Sequence, residues 1–174
     1  MKIRAFLIVV CVAALTACSQ PGPSGTTPSQ PDPTGTTQSQ PDPVGAYLVM
    51  VDWLYQTDPG LNGGHIFAID TTQTGLPDPD SLFNALKADP RYAQHELMNT
   101  TRDKLVEAGL IKDIGSGFPD GFLIEFSNAS ITPDTVTAGA SKWVSGLGAI
   151  YATLTAQWSD GAWLLGDVED FAIA

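Results

Sequence analysis

The sequence predicts an α+β fold: a single domain with an antiparallel four-strand meander in its C-terminal half, preceded by two strands and two short helices packed on one face. Three observations carry this. From Gly121 onward, apolar residues recur with a period of two in successive segments, the spacing of half-buried strands. Asp160-Gly161 stands between Trp158 and Trp163, and such a pair suits a two-residue type I′ turn joining adjacent strands. Ahead of the alternation, two segments with apolar spacings of three and four carry residues that start and stop helices.

Taken in order, Tyr47 to Tyr55 (YLVMVDWLY) is rich in β-branched and aromatic residues and ends in the turn formers TDPGLNGG, so it reads as a buried strand. HIFAID (65–70) reads as a second. In PDPDSLFNALKADP, Asp80 is the expected helix cap, Leu82, Phe83 and Leu86 share a face, and Pro90 stops the helix. In the next helix, Thr100 and Asp103 have capping-box spacing. Leu105, Val106 and Ala108 follow, and Gly109 stands where a left-handed residue ends a helix.

The four meander strands come next. Phe122, Ile124 and Phe126 alternate with Leu123, Glu125 and Ser127; Val136, Ala138 and Ala140 alternate with Thr135, Thr137 and Gly139. The cleanest alternation sets Ile150, Ala152, Leu154, Ala156 and Trp158 against Tyr151, Thr153, Thr155 and Gln157. One face of that strand is dry and the other wet. The turn then places Ser159 opposite Ala162 and Trp158 opposite Trp163, an aromatic pair that pins the register.

The first 45 residues differ in kind. Residues 1–17 pair a cationic start (Lys2, Arg4) with an apolar run from Ala5 to Ala17. That run is short of the ~20 residues a membrane-spanning helix needs and matches a secretory signal peptide. Its end, Leu15-Thr16-Ala17-Cys18, resembles the lipobox of bacterial lipoproteins. The resemblance implies cleavage before Cys18 and lipidation of its sulfur, anchoring the protein to a membrane. With Ser19 rather than aspartate next, it implies the outer membrane in a cell that has two. Residues 18–45 then hold a ten-residue repeat (SQPGPSGTTP, SQPDPTGTTQ, SQPDPVGAYL) with almost no apolar residue to bury. It reads as a disordered tether, spanning about 80 Å if extended as polyproline II. The domain is expected over residues 46–174. Its C-terminal half resembles the tails of uncharacterised secreted bacterial domains, and the order of elements is loosely similar to cystatin-like and NTF2-like folds. That likeness implies no activity.

Charge narrows the partners. Of eight Lys/Arg, two lie in the leader; of nineteen Asp/Glu, two lie in the tether, so the domain itself carries the net charge of −11. Such a surface repels polyphosphates and anionic lipid and attracts cations or basic proteins, so nucleic acid is not an expected partner. Of the two cysteines, Cys11 leaves with the leader and Cys18 is the lipid's. No disulfide or thiol nucleophile is therefore expected in the domain.

Motifs of catalysis are sparse, and no cofactor or metal is expected. His95-Glu96 lacks the second histidine of a zincin, because Asn99 holds its place. His65 reads as an ordinary polar residue at a strand start. Ser145 lies in a glycine-rich bend without the flanking pattern of a hydrolase elbow. Residues 70–81 mimic the glycine spacing of a calcium loop, but Thr72, Thr74 and Ser81 replace its carboxylates, leaving Asp78 and Asp80. Asp167, Glu169 and Asp170 form an acidic terminal strand, the sort of edge that discourages pairing. The expected function is a non-catalytic binding or assembly domain on a lipid-anchored envelope protein, with a protein or cell-wall partner and an oligomeric state the sequence leaves open. A wall-polymer hydrolase and an inhibitor of a cationic lysozyme-like enzyme are the alternatives. The first candidates for partner contact are Tyr151, Thr153, Thr155 and Gln157 on the wet face, with Trp143 beside Lys142.

Overall fold

The structure, a computed structural model, describes residues 40–113 and 115–174. The leader, Cys18 with its expected lipid, and the tether up to Ser39 lie outside the described residues.

The first element among the described residues is helix α1 (Val44–Gln56), opened by the Asp42 carboxylate, which accepts from the Val44 amide at 3.0 Å. This corrects the expectation of a strand over Tyr47–Tyr55. The buried positions Tyr47, Met50, Val51 and Leu54 follow a spacing of three and four, which only a helix brings to one side. Burying each such side chain contributes about 1.5–3 kcal/mol, which outweighs strand preferences of at most ~1 kcal/mol. On the far side, Gln56 donates to Asp52 four residues back at 2.7 Å.

Strand β1 (Ile66–Asp70) leads through α2 (Pro79–Ala88) to β2 (Glu96–Asn99), and α3 (Arg102–Glu107) leads on to β3 (Gly121–Ile131). Asp78, not Asp80, caps α2, accepting from the Asp80 amide at 3.2 Å. Leu82 and Leu86 face inward as expected. Thr101, not Thr100, caps α3, accepting from Lys104 at 3.3 Å, and Gly109 takes its expected left-handed conformation at φ 70°.

The remaining strands are β4 (Thr135–Ser145), β5 (Gly148–Ser159) and β6 (Ala162–Ile173), and the six form one mixed sheet in the order β2-β1-β3-β4-β5-β6. The class is α+β, and β3–β6 form the antiparallel meander. Asp160 and Gly161 both have positive φ (53° and 84°), as a type I′ turn requires, and the register pairs Ser159 with Ala162 and Trp158 with Trp163.

Both β1 neighbours, β2 and β3, run parallel to it. The connection from β1 to β2 and the return from β2 to β3 run in opposite directions across the sheet. Two right-handed crossovers of opposite direction must pass over opposite faces. Accordingly, Leu82 and Leu86 of α2 join the main core beneath α1, while Leu105 of α3 packs with Ile66, Ala68, Leu123, Trp143 and Ala149 on the other face, which corrects the expectation that the two short helices share one face. The α3 layer stops there, so beyond it no element among the described residues covers the face of β3–β6.

Candidate open-face groove

The register fixes what the uncovered face presents. Asp70, Glu125, Ser141 and Tyr151 lie in one row across four strands, and Ser127, Gly139, Thr153 and Glu169 form the next. These rows enclose a groove of about 480 Å³, lined by Asp70, Glu125, Ser141, Tyr151, Thr153 and Asp170 among others. Its floor is low at Gly139, where an added Cβ would stand 2.7 Å from the Ser127 Oγ. One end lies at the C-terminus of β1. There the chain leaves for β2 on one side while β3 lies on the other, the type of switch point at which open sheets gather ligands.

Arg102 at the start of α3 forms the wall between the covered and open parts of this face. Its guanidinium lies 4.4 Å from the centre of the Trp143 ring and donates to Glu125 Oε2 at 2.6 Å. The Ser141 hydroxyl approaches the same carboxylate oxygen at 3.4 Å. Glu125 is thus partly neutralised. The Asp70 carboxylate accepts from the amide and hydroxyl of Thr72, at 2.9 and 2.6 Å. Asp170 accepts from Thr153 at 3.2 Å, positioned by a bulge at which its own φ is 51°. Neither of these two aspartates has a cationic side chain paired to it among the described residues.

Of the residues proposed from sequence, Tyr151, Thr153, Thr155 and Gln157 all project from this face of β5. Tyr151 is 43% exposed, and Tyr151 and Thr153 line the groove itself. Thr155 bonds to Thr137 across the strands at 3.0 Å, beyond the groove's edge. Trp143 is corrected: it shares the face but is 2% exposed, because α3 and the Arg102 guanidinium lie over it. The alternation of β3 marked Glu125 and Ser127 as outward. Asp70 and Arg102 were missed because a parallel strand and a six-residue helix had to be placed first.

The other candidates are dispersed. His65 and His95 stand at the N-terminal ends of β1 and β2, about 17 Å along β1 from Asp70 at ~3.3 Å per residue. His95 packs edge-on against Tyr55, Phe67 and Phe122, with its Nε2 3.0 Å from the Tyr55 hydroxyl; burial pushes its pKa down. His65 reaches only Glu96, at 4.0 Å and in solvent. Ser145 borders a separate hollow of about 430 Å³ lined by glycines, Phe118 and Pro119, with no histidine in its lining. Asp78 is occupied as a helix cap, and Asp80 accepts from Asn99 at 3.3 Å. No cluster of three potential metal ligands occurs among the described residues. Known proteins provide no further guide: no family model, curated protein or solved structure matches the chain.

Proposed function

We propose that this is a lipid-anchored cell-envelope protein whose acidic domain binds a partner without turning it over, through the open face of its sheet. One observation carries the reading: Asp70 and Asp170, both without a cationic partner among the described residues, flank a shallow groove furnished with serine, threonine and tyrosine hydroxyls. Such a surface complements amino and hydroxyl groups, as on a basic protein segment or a wall polymer, and the domain's charge of −11 steers cationic molecules toward it.

The dispersion of the candidate catalytic groups weighs against the hydrolase alternative. A carboxylate would need His65, His95 or Ser145 within hydrogen-bond reach, and no such contact occurs among the described residues. The lipid anchor rests on the lipobox-like LTAC and the signal-peptide-like run that precedes it.

Two measurements test the reading. Mass spectrometry of the processed chain is expected to find a lipidated Cys18; an unmodified sulfur removes the anchor. Titration of the full chain with a cationic muramidase at low salt is expected to give binding that weakens with salt and falls in Gly139→Val, whose side chain fills the groove. No binding, or binding that Gly139→Val leaves intact, removes the groove. Loss of muramidase activity on binding would narrow the reading to an inhibitor.

A further inference from the structure

A second surface, independent of the groove, lies along β6. This strand has twelve residues and pairs only with β5, leaving its outer backbone without a strand partner among the described residues. Such an edge usually carries some protection. Here the protection is uneven. On the side facing α1, Val168, Phe171 and Ile173 are 37%, 48% and 58% exposed, and Trp53 of α1 meets Phe171 edge-on at 5.9 Å. On the open face, the same stretch presents Asp167 and Glu169, neither of which has an ion-pair partner among the described residues, while Asp170 is turned at its bulge toward Thr153 of β5 and away from the outer edge. The stripe ends at Ile173, about 30 Å along the strand from Trp163 at ~3.3 Å per residue. Trp163 is where the chain enters the domain, bonded to the Asp42 carbonyl at 2.8 Å.

We propose that the Asp167–Ile173 edge of β6 receives a short strand from a protein partner in which apolar and basic side chains alternate. Residues opposite one another in a sheet share a face. The added strand's apolar side chains therefore extend the stripe of Val168, Phe171 and Ile173, and its lysines or arginines meet Asp167 and Glu169. A second copy of this chain is a poor occupant, because pairing β6 with itself sets these acids against their like on one face. The two bulges of β6, at Asp170 and near Gly166, break the ladder into runs of a few residues. They exclude a long, flat strand and leave selection to the side chains on the two faces.

The test uses the isotope-labelled full chain and an eight-residue peptide alternating valine and lysine. Amide shifts and slowed hydrogen exchange are expected along Asp167–Ile173, with affinity at least tenfold above that for the valine–glutamate peptide. D167K/E169K is expected to invert that preference. The near-isosteric D167N/E169Q, which keeps the folded surface close to native, is expected to abolish it. Asp70→Asn, in the groove, is expected to change affinity by less than twofold, which separates this surface from the one proposed above. Absence of binding, shifts confined to other strands, equal affinity for both peptides, or a dimer that protects β6 without peptide would each overturn the proposal.

Discussion

The Lys142 ammonium donates to the main-chain carbonyl of Thr57, the residue that ends α1, at 2.5 Å. The Asp58 carbonyl and Asn62 Oδ1 complete its three bonds, each at 3.0 Å. A cation at a helix C-terminus also complements the helix dipole. Lys142 thereby ties β4, on its α1-facing side, to the turn that follows the helix.

That fully buried position sets a pH dependence. Burial pushes the Lys142 pKa from 10.5 down to about 8. Between those values the unfolded chain holds a proton that the native state has released, so stability rises with pH, by at most about 1.4 kcal/mol per unit. Burial pushes Tyr47 and Tyr92 up to about 12, so above pH 10 the unfolded chain loses protons first and stability falls. Denaturant titrations are expected to show a stability maximum near pH 10. Lys142→Met should lose the rise and keep the fall, and destabilise by about 1–3 kcal/mol at pH 7 by orphaning the three acceptors.

His95 contributes to pH dependence on the acid side. Burial holds its pKa below the ordinary 6.5, and its Nδ1 is buried without a hydrogen-bond partner. Below pH 6.5 the unfolded chain therefore binds a proton that the native state resists, and stability falls as the pH drops through that value. The difference in denaturation midpoint between pH 7 and pH 5 is expected to shrink in His95→Gln. An unchanged difference would assign the acid sensitivity to other groups.

The meander was legible in the sequence because strand alternation and turn chemistry agree there. Asp160-Gly161 fixed a register that Trp158 and Trp163 then occupy. Residues 47–55 were misread because β-branched and aromatic residues suggested a strand, while the spacing of Tyr47, Met50, Val51 and Leu54 carried the helix. The groove was only half legible. Alternation names the outward residues of each strand, but which of them α3 covers depends on crossover topology, and that alone separates buried Trp143 from exposed Tyr151.

Arg102 offers a test of how the groove wall is held. Its ion pair with Glu125 is about one-quarter exposed on both sides, a setting in which such a pair contributes about 1 kcal/mol or less. The stacking on Trp143 adds about 0.5–1 kcal/mol. Arg102→Met, which keeps an apolar stem, is expected to destabilise by about 1–2 kcal/mol. In a double-mutant cycle with Glu125→Gln, the coupling energy should be near 1 kcal/mol. The same Arg102→Met substitution frees the Glu125 charge, so affinity for a cationic muramidase at low salt should increase. A decrease would mean that Arg102 itself contacts the partner.

Trp163 is the point at which the incoming chain is fastened to the sheet. Its ring is 8% exposed and packs against Gly45 so closely that an added Cβ there would stand 2.5 Å from the indole Cδ1. Its Nε1 donates to the Asp42 carbonyl, and it meets Trp158 edge-on with ring centres 5.7 Å apart. Trp163→Phe keeps an aromatic ring but removes the donor and part of the packing, so a loss of about 1–3 kcal/mol is expected. Trp158 is 36% exposed, and Trp158→Phe should cost less than about 1 kcal/mol because the aromatic pair survives. Limited proteolysis of the full chain is expected to cleave within residues 40–45 several-fold faster in Trp163→Phe than in Trp158→Phe. Equal rates in the two variants would mean that the Asp42 bond does not fasten the start of α1.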